Sequence, residues 1–135
     1  MKAARYLLDT NICIYIAKQR PVTVMDRFCD LQVGDIGMSI ITHGELCFGA
    51  EKCRNSQRAF EVLGRLIELI PVLLVPEQAA LSYGAVRAAL EKRGQPIGAN
   101  DLWIAVHALS AGMTLVSNNC REFERVSGLK LENWV

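Results

Sequence analysis

At 135 residues, 51% hydrophobic and 21% charged, the chain has the length of one domain with a sizeable core and is too apolar to be disordered. A formal net charge of +1 excludes a protein that grips nucleic acid by bulk charge alone; local basic patches and metal-assisted contact with phosphate stay open. The cysteines at 13, 29, 47, 53 and 120 are odd in number and form no Cys-x-x-Cys pair, which argues against a disulfide framework and against a zinc site.

Met1-Lys2-Ala3 leads straight into a first apolar run and leaves no room for a signal peptide. No apolar run is long enough to span a bilayer, so a cytoplasmic protein without membrane contact is expected. Arg5 to Leu8 read as a short buried strand, followed by Asp9 and a helix to about Lys18 that Asp9 or Thr10 can cap. Gln19-Arg20-Pro21 breaks it, and Pro21 suits the first turn of a second helix through Leu31. Val33-Gly34-Asp35 is a turn, and Ile36 to Ile41 a second strand. Thr42 with Glu45 three residues later has capping-box spacing for a helix to about Lys52. Ser56 is the expected cap of the next helix, where Phe60, Leu63, Leu66, Ile67 and Ile70 recur at three-and-four spacing until Pro71.

Val72 to Val75 is a brief strand, and residues 77–92 alternate on a helical period. A loop over 93–98 leads to a helix from Asp101 to about Ala111, capped by Asn100 and ended by Gly112. Met113 to Val116 is a strand, Cys120 to Val126 a short helix, and Leu129 to Leu131 a last edge strand before Trp134. Strands that alternate with helices predict an α/β fold: a parallel sheet of four to five short strands with helices on both faces.

Asp9, Glu45 and Asp101 each stand near a helix start beside a strand end or loop. Singly, each is explained as a cap or as a favourable charge on a helix dipole. In a parallel sheet, however, such positions gather at one edge, where ligands bind. Asp101 also heads a stripe of Ala105, Ala108 and Gly112 on an apolar helix, which draws it inward. Two ionised carboxylates about 4 Å apart repel by roughly 4 kcal/mol at an effective dielectric of about 20, so a shared proton or a cation must intervene. Oxygen donors without His or Cys favour Mg²⁺ or Mn²⁺. Spacing alone fits a metal site and separate caps equally well.

Four blocks occur in order: Leu8-Asp9-Thr10-Asn11; Ser39 through Thr42 to Glu45-Leu46 and Gly49-Ala50; Gly98-Ala99-Asn100-Asp101 with Ile104-Ala105 and His107-Ala108; and Leu115-Val116-Ser117-Asn118-Asn119 with Arg121-Glu122-Phe123-Glu124-Arg125. Together they resemble the PIN domain, and within it the VapC ribonuclease toxins of bacterial toxin–antitoxin pairs. The resemblance runs from about Tyr6 to Trp134 and implies one PIN domain over 1–135. Pro96-Ile97-Gly98 and Arg121 through Val126 look closest to the subgroup that cuts initiator tRNA in its anticodon stem-loop. It implies a metal-dependent endoribonuclease with a Rossmann-like sheet, in which Asp9 and Asp101 match the principal Mg²⁺ ligands and Glu45 the third acid. It also implies a homodimer and a cognate VapB-type antitoxin that blocks the acidic pocket. Where the family often has a fourth acid, this chain has Asn119 after Asn118, with Glu122 nearby as a substitute or an exposed helix residue.

Thr10 and Asn11 could orient Asp9 or a phosphate. Ser39 and Ser117 are supporting donors or local turn bonds. Lys92, Arg93 and Gln95 make the 92–98 loop the expected RNA contact. His43, His107, Tyr15 and Trp103 are expected to serve packing or the surface rather than chemistry. Two rival readings stand beside the nuclease. A haloacid-dehalogenase-like phosphatase also places an Asp after its first strand, but needs an acid where Asn11 stands. A non-catalytic RNA-binding module would use the acids only as caps.

Overall fold

The computed structural model describes residues 4–135, so Met1-Lys2-Ala3, and with it the reading on a signal peptide, lies outside the described residues. The chain runs β1 (Tyr6–Leu8), α1 (Thr10–Ala17), α2 (Val22–Cys29), β2 (Ile36–Ser39), α3 (Ile40–Lys52) and α4 (Ser56–Leu69). It continues through β3 (Val72–Leu73), α5 (Ala79–Lys92), α6 (Ala99–Ala111), β4 (Thr114–Val116), α7 (Cys120–Phe123) and β5 (Lys130–Glu132). The strands form one five-stranded sheet in the order β3-β2-β1-β4-β5. Every pairing is parallel; Tyr6 stands beside Ile36 on one side and Thr114 on the other. The expected α/β architecture is therefore present.

Alternation along β1 divides the core. Leu8 faces Ile12, Ile16, Val24, Leu63 and Leu66 of α1, α2 and α4, with Trp134 closing the cluster. Leu7, its neighbour, faces Ile104, Ala105, Ala108 and Phe123 of α6 and α7. Successive strand side chains point to opposite faces, so one short run of leucines seeds both layers. Outside α6, α5 packs through Ala79 and Leu90 onto Leu102 and Val106. Gly37 is required by close approach: a Cβ there would stand 2.5 Å from Leu73 Cδ1 and 3.2 Å from the Pro71 carbonyl oxygen. Gly112 ends α6 in the left-handed conformation, with φ 67°.

Several boundaries differ from the sequence expectation. β2 stops at Ser39, whose hydroxyl accepts from the Ile41 N–H at 3.2 Å and caps α3. Ile40 and Ile41, which suit a strand, are instead its first helical residues; the local cap overrides their β preference. Thr42 is consequently inside the helix and fully buried, and the proposed capping box does not form. α4 is capped by Asn55, which accepts from the Arg58 N–H at 3.2 Å, rather than by Ser56. α6 begins two residues earlier, with Gly98 as its cap and no side-chain cap bond, so Asn100 is free for another partner. α2 and α7 are shorter than expected, and the last strand is shifted one residue later.

Candidate active site

Three adjacent strands end on buried polar residues: Ser39 closes β2, Asp9 follows β1 and Ser117 follows β4. With β1 between β2 and β4, these residues stand side by side at the carboxyl edge of the sheet. The connections leave β1 toward β2 and return on the other side at β4, which makes this edge the topological switch point where α/β proteins bind ligands.

Asp9 is held from every side. Its N–H donates to the Val116 carbonyl at 3.0 Å, extending the sheet by one bond, and its Oδ1 accepts from the Ile12 N–H at 3.0 Å, capping α1. The Ser117 side chain bonds its carboxylate while Ser117 Oγ accepts from the Asn119 N–H at 2.9 Å. Asp9 is only 5% exposed. Burial, and after it the negative charges of Asp101 and Glu45, push its carboxyl up to about 6 against the pull of the Ser117 and Ile12 bonds.

Glu45 reaches the same edge from α3. Thr10 Oγ1 donates to Glu45 Oε1 at 2.5 Å and lies 3.3 Å from Thr42 Oγ1, while the Asn100 side-chain amide stands 3.5 Å from Glu45 Oε2. Thr42 and Glu45, paired on paper as a capping box, thus both meet Thr10 instead. Asp101, half-buried in the first turn of α6, is raised above the usual carboxylate range by burial, then by the charges of Glu45 and Glu122. Glu122 is itself half-buried on α7 and accepts from the Asn119 side-chain amide at 3.1 Å. Four acids from four segments therefore share one electrostatic neighbourhood.

These acids are oxygen donors of the hard kind that Mg²⁺ and Mn²⁺ prefer, and Asp9 and Asp101 are each destabilised in the ionised form by burial and by like charges. That donor set fits a divalent cation. The side chains nevertheless turn to protein donors: among the described residues no group of three or more His, Cys, Asp or Glu side chains is drawn together at ligand spacing. Mutual repulsion accounts for Asp9, Glu45 and Glu122 each taking a hydroxyl, amide or backbone N–H in preference to one another.

Other residues singled out by sequence fall outside this cluster. Asn11 is exposed on α1. Lys92, Arg93 and Gln95 are exposed at the end of α5 and in the loop after it. Tyr15 packs on the α1 side of the core and accepts from the Asn118 amide at 3.0 Å, and Trp103 stacks on Tyr83 with centroids 4.0 Å apart. His107 is buried in α6 with its Nδ1 unpartnered. Sequence reasoning does not find Thr10 and Asn100 as the partners of Glu45. Asn100 adjoins Asp101 at a helix start, where a cap and a site residue look alike, and nothing local distinguishes the two roles.

A parallel α/β sheet that gathers carboxylates at its switch point defines the class, and the family follows from it: the PIN domain model matches residues 6–129, and the chain belongs to the VapC branch of that family. It is 44% identical over 131 residues to Ribonuclease VapC2 of Haemophilus influenzae, covering 97% of this chain and 98% of that one. It is 43% identical over 130 residues to the tRNA(fMet)-specific endonuclease VapC of Shigella flexneri, covering 96% and 98%. The crystal structure of DNA-bound VapBC from Salmonella typhimurium matches with a TM-score of 0.90 at 40% identity, over 98% of this chain and 99% of that one. The phosphatase reading gains nothing from this family or from Asn11.

Proposed function

We propose that this chain is a single PIN domain acting as a divalent-cation-dependent endoribonuclease, the toxin of a toxin–antitoxin pair, with initiator tRNA cut in its anticodon stem-loop. The observation that carries the reading is the coupling of Asp9, Glu45, Asp101 and Glu122 at the switch-point edge. A near-full-length relative named as a tRNA(fMet)-specific endonuclease supports the substrate. Asp9 and Asp101 would hold Mg²⁺, or Mn²⁺ in its place, with Glu45 as the third acid and Asn119 or Glu122 completing the surround. A bound cation supplies charge neutralisation on the scissile phosphate and a more acidic attacking water.

The chain's own residues do the rest. Ser117 and the Ile12 N–H fix the Asp9 carboxylate, and Thr10 and Asn100 fix Glu45. Glu45, whose two oxygens accept from Thr10 and Asn100, would take the proton from the attacking water. Water attacks phosphorus in line, the bond from phosphorus to the ribose oxygen breaks, and the leaving oxygen takes a proton from solvent water.

An apolar groove of about 580 Å³ runs between α1, α3 and α4 past Ile14, Leu46, Ala50 and Leu63, and opens at Thr10 and Glu45. An antitoxin segment lying along it would reach the acids and block them, in keeping with the VapBC complexes that share this fold. Homodimer formation and a cytoplasmic location belong to the same proposal; among the described residues no helix is long and apolar enough to cross a membrane.

The test is incubation of antitoxin-free protein with total tRNA and Mg²⁺, with mapping of the new ends. Cleavage of one tRNA in its anticodon stem-loop, abolished by chelator and by Asp101→Asn, supports the reading. RNA binding without cleavage in the wild-type protein points to the binding module instead.

A further inference from the structure

A second cleft of about 580 Å³ is lined by Arg93, Gln95, Arg121, Glu124, Arg125 and Ser127. It joins two segments distant in sequence. Arg93 Nη2 donates to the Arg125 carbonyl oxygen at 2.9 Å, and Arg125 Nη1 donates to the Pro96 carbonyl oxygen at 3.1 Å. The two arginines thus staple the 93–98 loop to the end of α7 through backbone carbonyls, not carboxylates. Among the described residues, the ion pairs are Arg27–Glu132 and Arg87–Glu91, and neither involves this cleft. Arg121 has no hydrogen-bond partner at all among them.

Three guanidiniums against one carboxylate, Glu124, leave a local excess of positive charge on a chain whose net charge is only +1. Each stapling arginine uses one of its five N–H donors on a carbonyl, so most of its donors remain for an anion. Arg forks match phosphate oxygens in pairs. α7 and the residues after it separate the two signs: Glu122 acts on Asp101, while Arg121 and Arg125 line the cleft. The 93–98 loop then runs directly into α6, three residues before Asp101. The loop that lines the cleft thus leads into the helix that carries Asp101, so the cleft and that acid share one support. The acids repel phosphate, so grip has to come from beside them.

We propose that this cleft is a phosphate subsite for the RNA backbone next to the cleaved bond, with Arg121 as the contacting guanidinium and Arg93 and Arg125 as positioning residues that hold the loop against it. The proposal rests on the ribonuclease reading for its substrate. An acidic peptide of a partner protein is the competing occupant. The cleft's link to Asp101 through one short loop favours the nucleic acid.

Arg121 carries the test because it makes no bond within the fold, so its replacement leaves the structure intact. Binding of an initiator-tRNA anticodon hairpin is measured with the full chain carrying Asp101→Asn, which prevents cleavage, across a range of KCl. Arg121→Glu should weaken binding by about tenfold and lower the slope of log affinity against log salt by about one; Arg121→Lys should retain most of the affinity. Arg93→Ala, which opens the staple, should raise KM for the hairpin more than it lowers kcat. An unchanged affinity and slope for Arg121→Glu overturns the subsite, as does loss of antitoxin affinity with RNA binding intact. Wild-type protein that cleaves tRNA while Arg121 is indifferent defeats the subsite alone. Wild-type protein that never cleaves, yet binds the hairpin through Arg121, defeats the nuclease reading alone.

Discussion

The acidic edge and the basic cleft both draw on α7, one through Glu122 and the other through Arg121, and are built in opposite ways. At the edge, Asp9 is almost fully buried and is held by a hydroxyl and backbone N–H groups, and the charges around it are of its own sign. In the cleft, Arg93 and Arg125 donate to backbone carbonyls, and the exposed Arg121 side chain has no partner among the described residues. Burial makes Asp9 and Asp101 costly to ionise and therefore receptive to a cation, whereas the cleft arginines are only weakly committed within the fold. The first arrangement suits chemistry, and the second suits a contact made and broken with each substrate.

The contrast is broken most severely at the acids. Asp101→Asn or Asp9→Ala should lower kcat for tRNA cleavage by roughly 10²-fold or more, with hairpin affinity largely kept. A matching loss of binding would mean that the acids grip RNA rather than act on it. Next comes the tether on Glu45: Thr10→Val removes the hydroxyl that fixes it and should lower kcat by roughly 10- to 100-fold with little change in KM.

Stability should move in the other direction. In the absence of metal, the folded protein holds the Asp9 carboxyl at about 6 against an ordinary 3.8, so the fold binds the extra proton between those values. The folded state is then favoured at low pH and loses stability as pH rises through that window, by at most about 3 kcal/mol. Asp9→Asn should raise the melting temperature at neutral pH in chelator and flatten the profile between those values. Mg²⁺ should stabilise the wild-type protein at neutral pH and leave Asp9→Asn nearly unaffected. The smallest effect is expected at His107. Burial pushes its pKa below the ordinary 6.5, so the fold holds it neutral and loses stability as pH falls below that value. His107→Leu should remove this acid slope in a thermal-melt series without touching cleavage.

Much of this molecule was legible along the chain. Periodicity and punctuation located β1, α1, α4 and β4 to within a residue or two, because Leu7-Leu8, the Leu63 and Leu66 spacing and Gly112 act through local geometry. The errors cluster where one residue type serves two purposes. Thr42 and Glu45 at capping-box spacing, and Asn100 before Asp101, satisfy a cap and a site equally well in one dimension. Only the packing of α3 against α1 and α6 brought Thr10 and Asn100 to Glu45 and settled the matter. Glu122 likewise became part of the acidic neighbourhood once α7 folded back beside Asp101.

By itself the order of residues determined the parallel α/β layout and placed Asp9 and Asp101 at helix starts, since hydrophobic period and capping chemistry are local; Glu45 stands instead in the second turn of α3. The tertiary structure alone decided which hydroxyl or amide holds each acid, that Ser39 rather than Thr42 starts α3, and that Arg93 and Arg125 meet across a cleft. Those contacts join segments far apart in the chain, and a long-range hydrogen bond leaves no periodic trace in sequence.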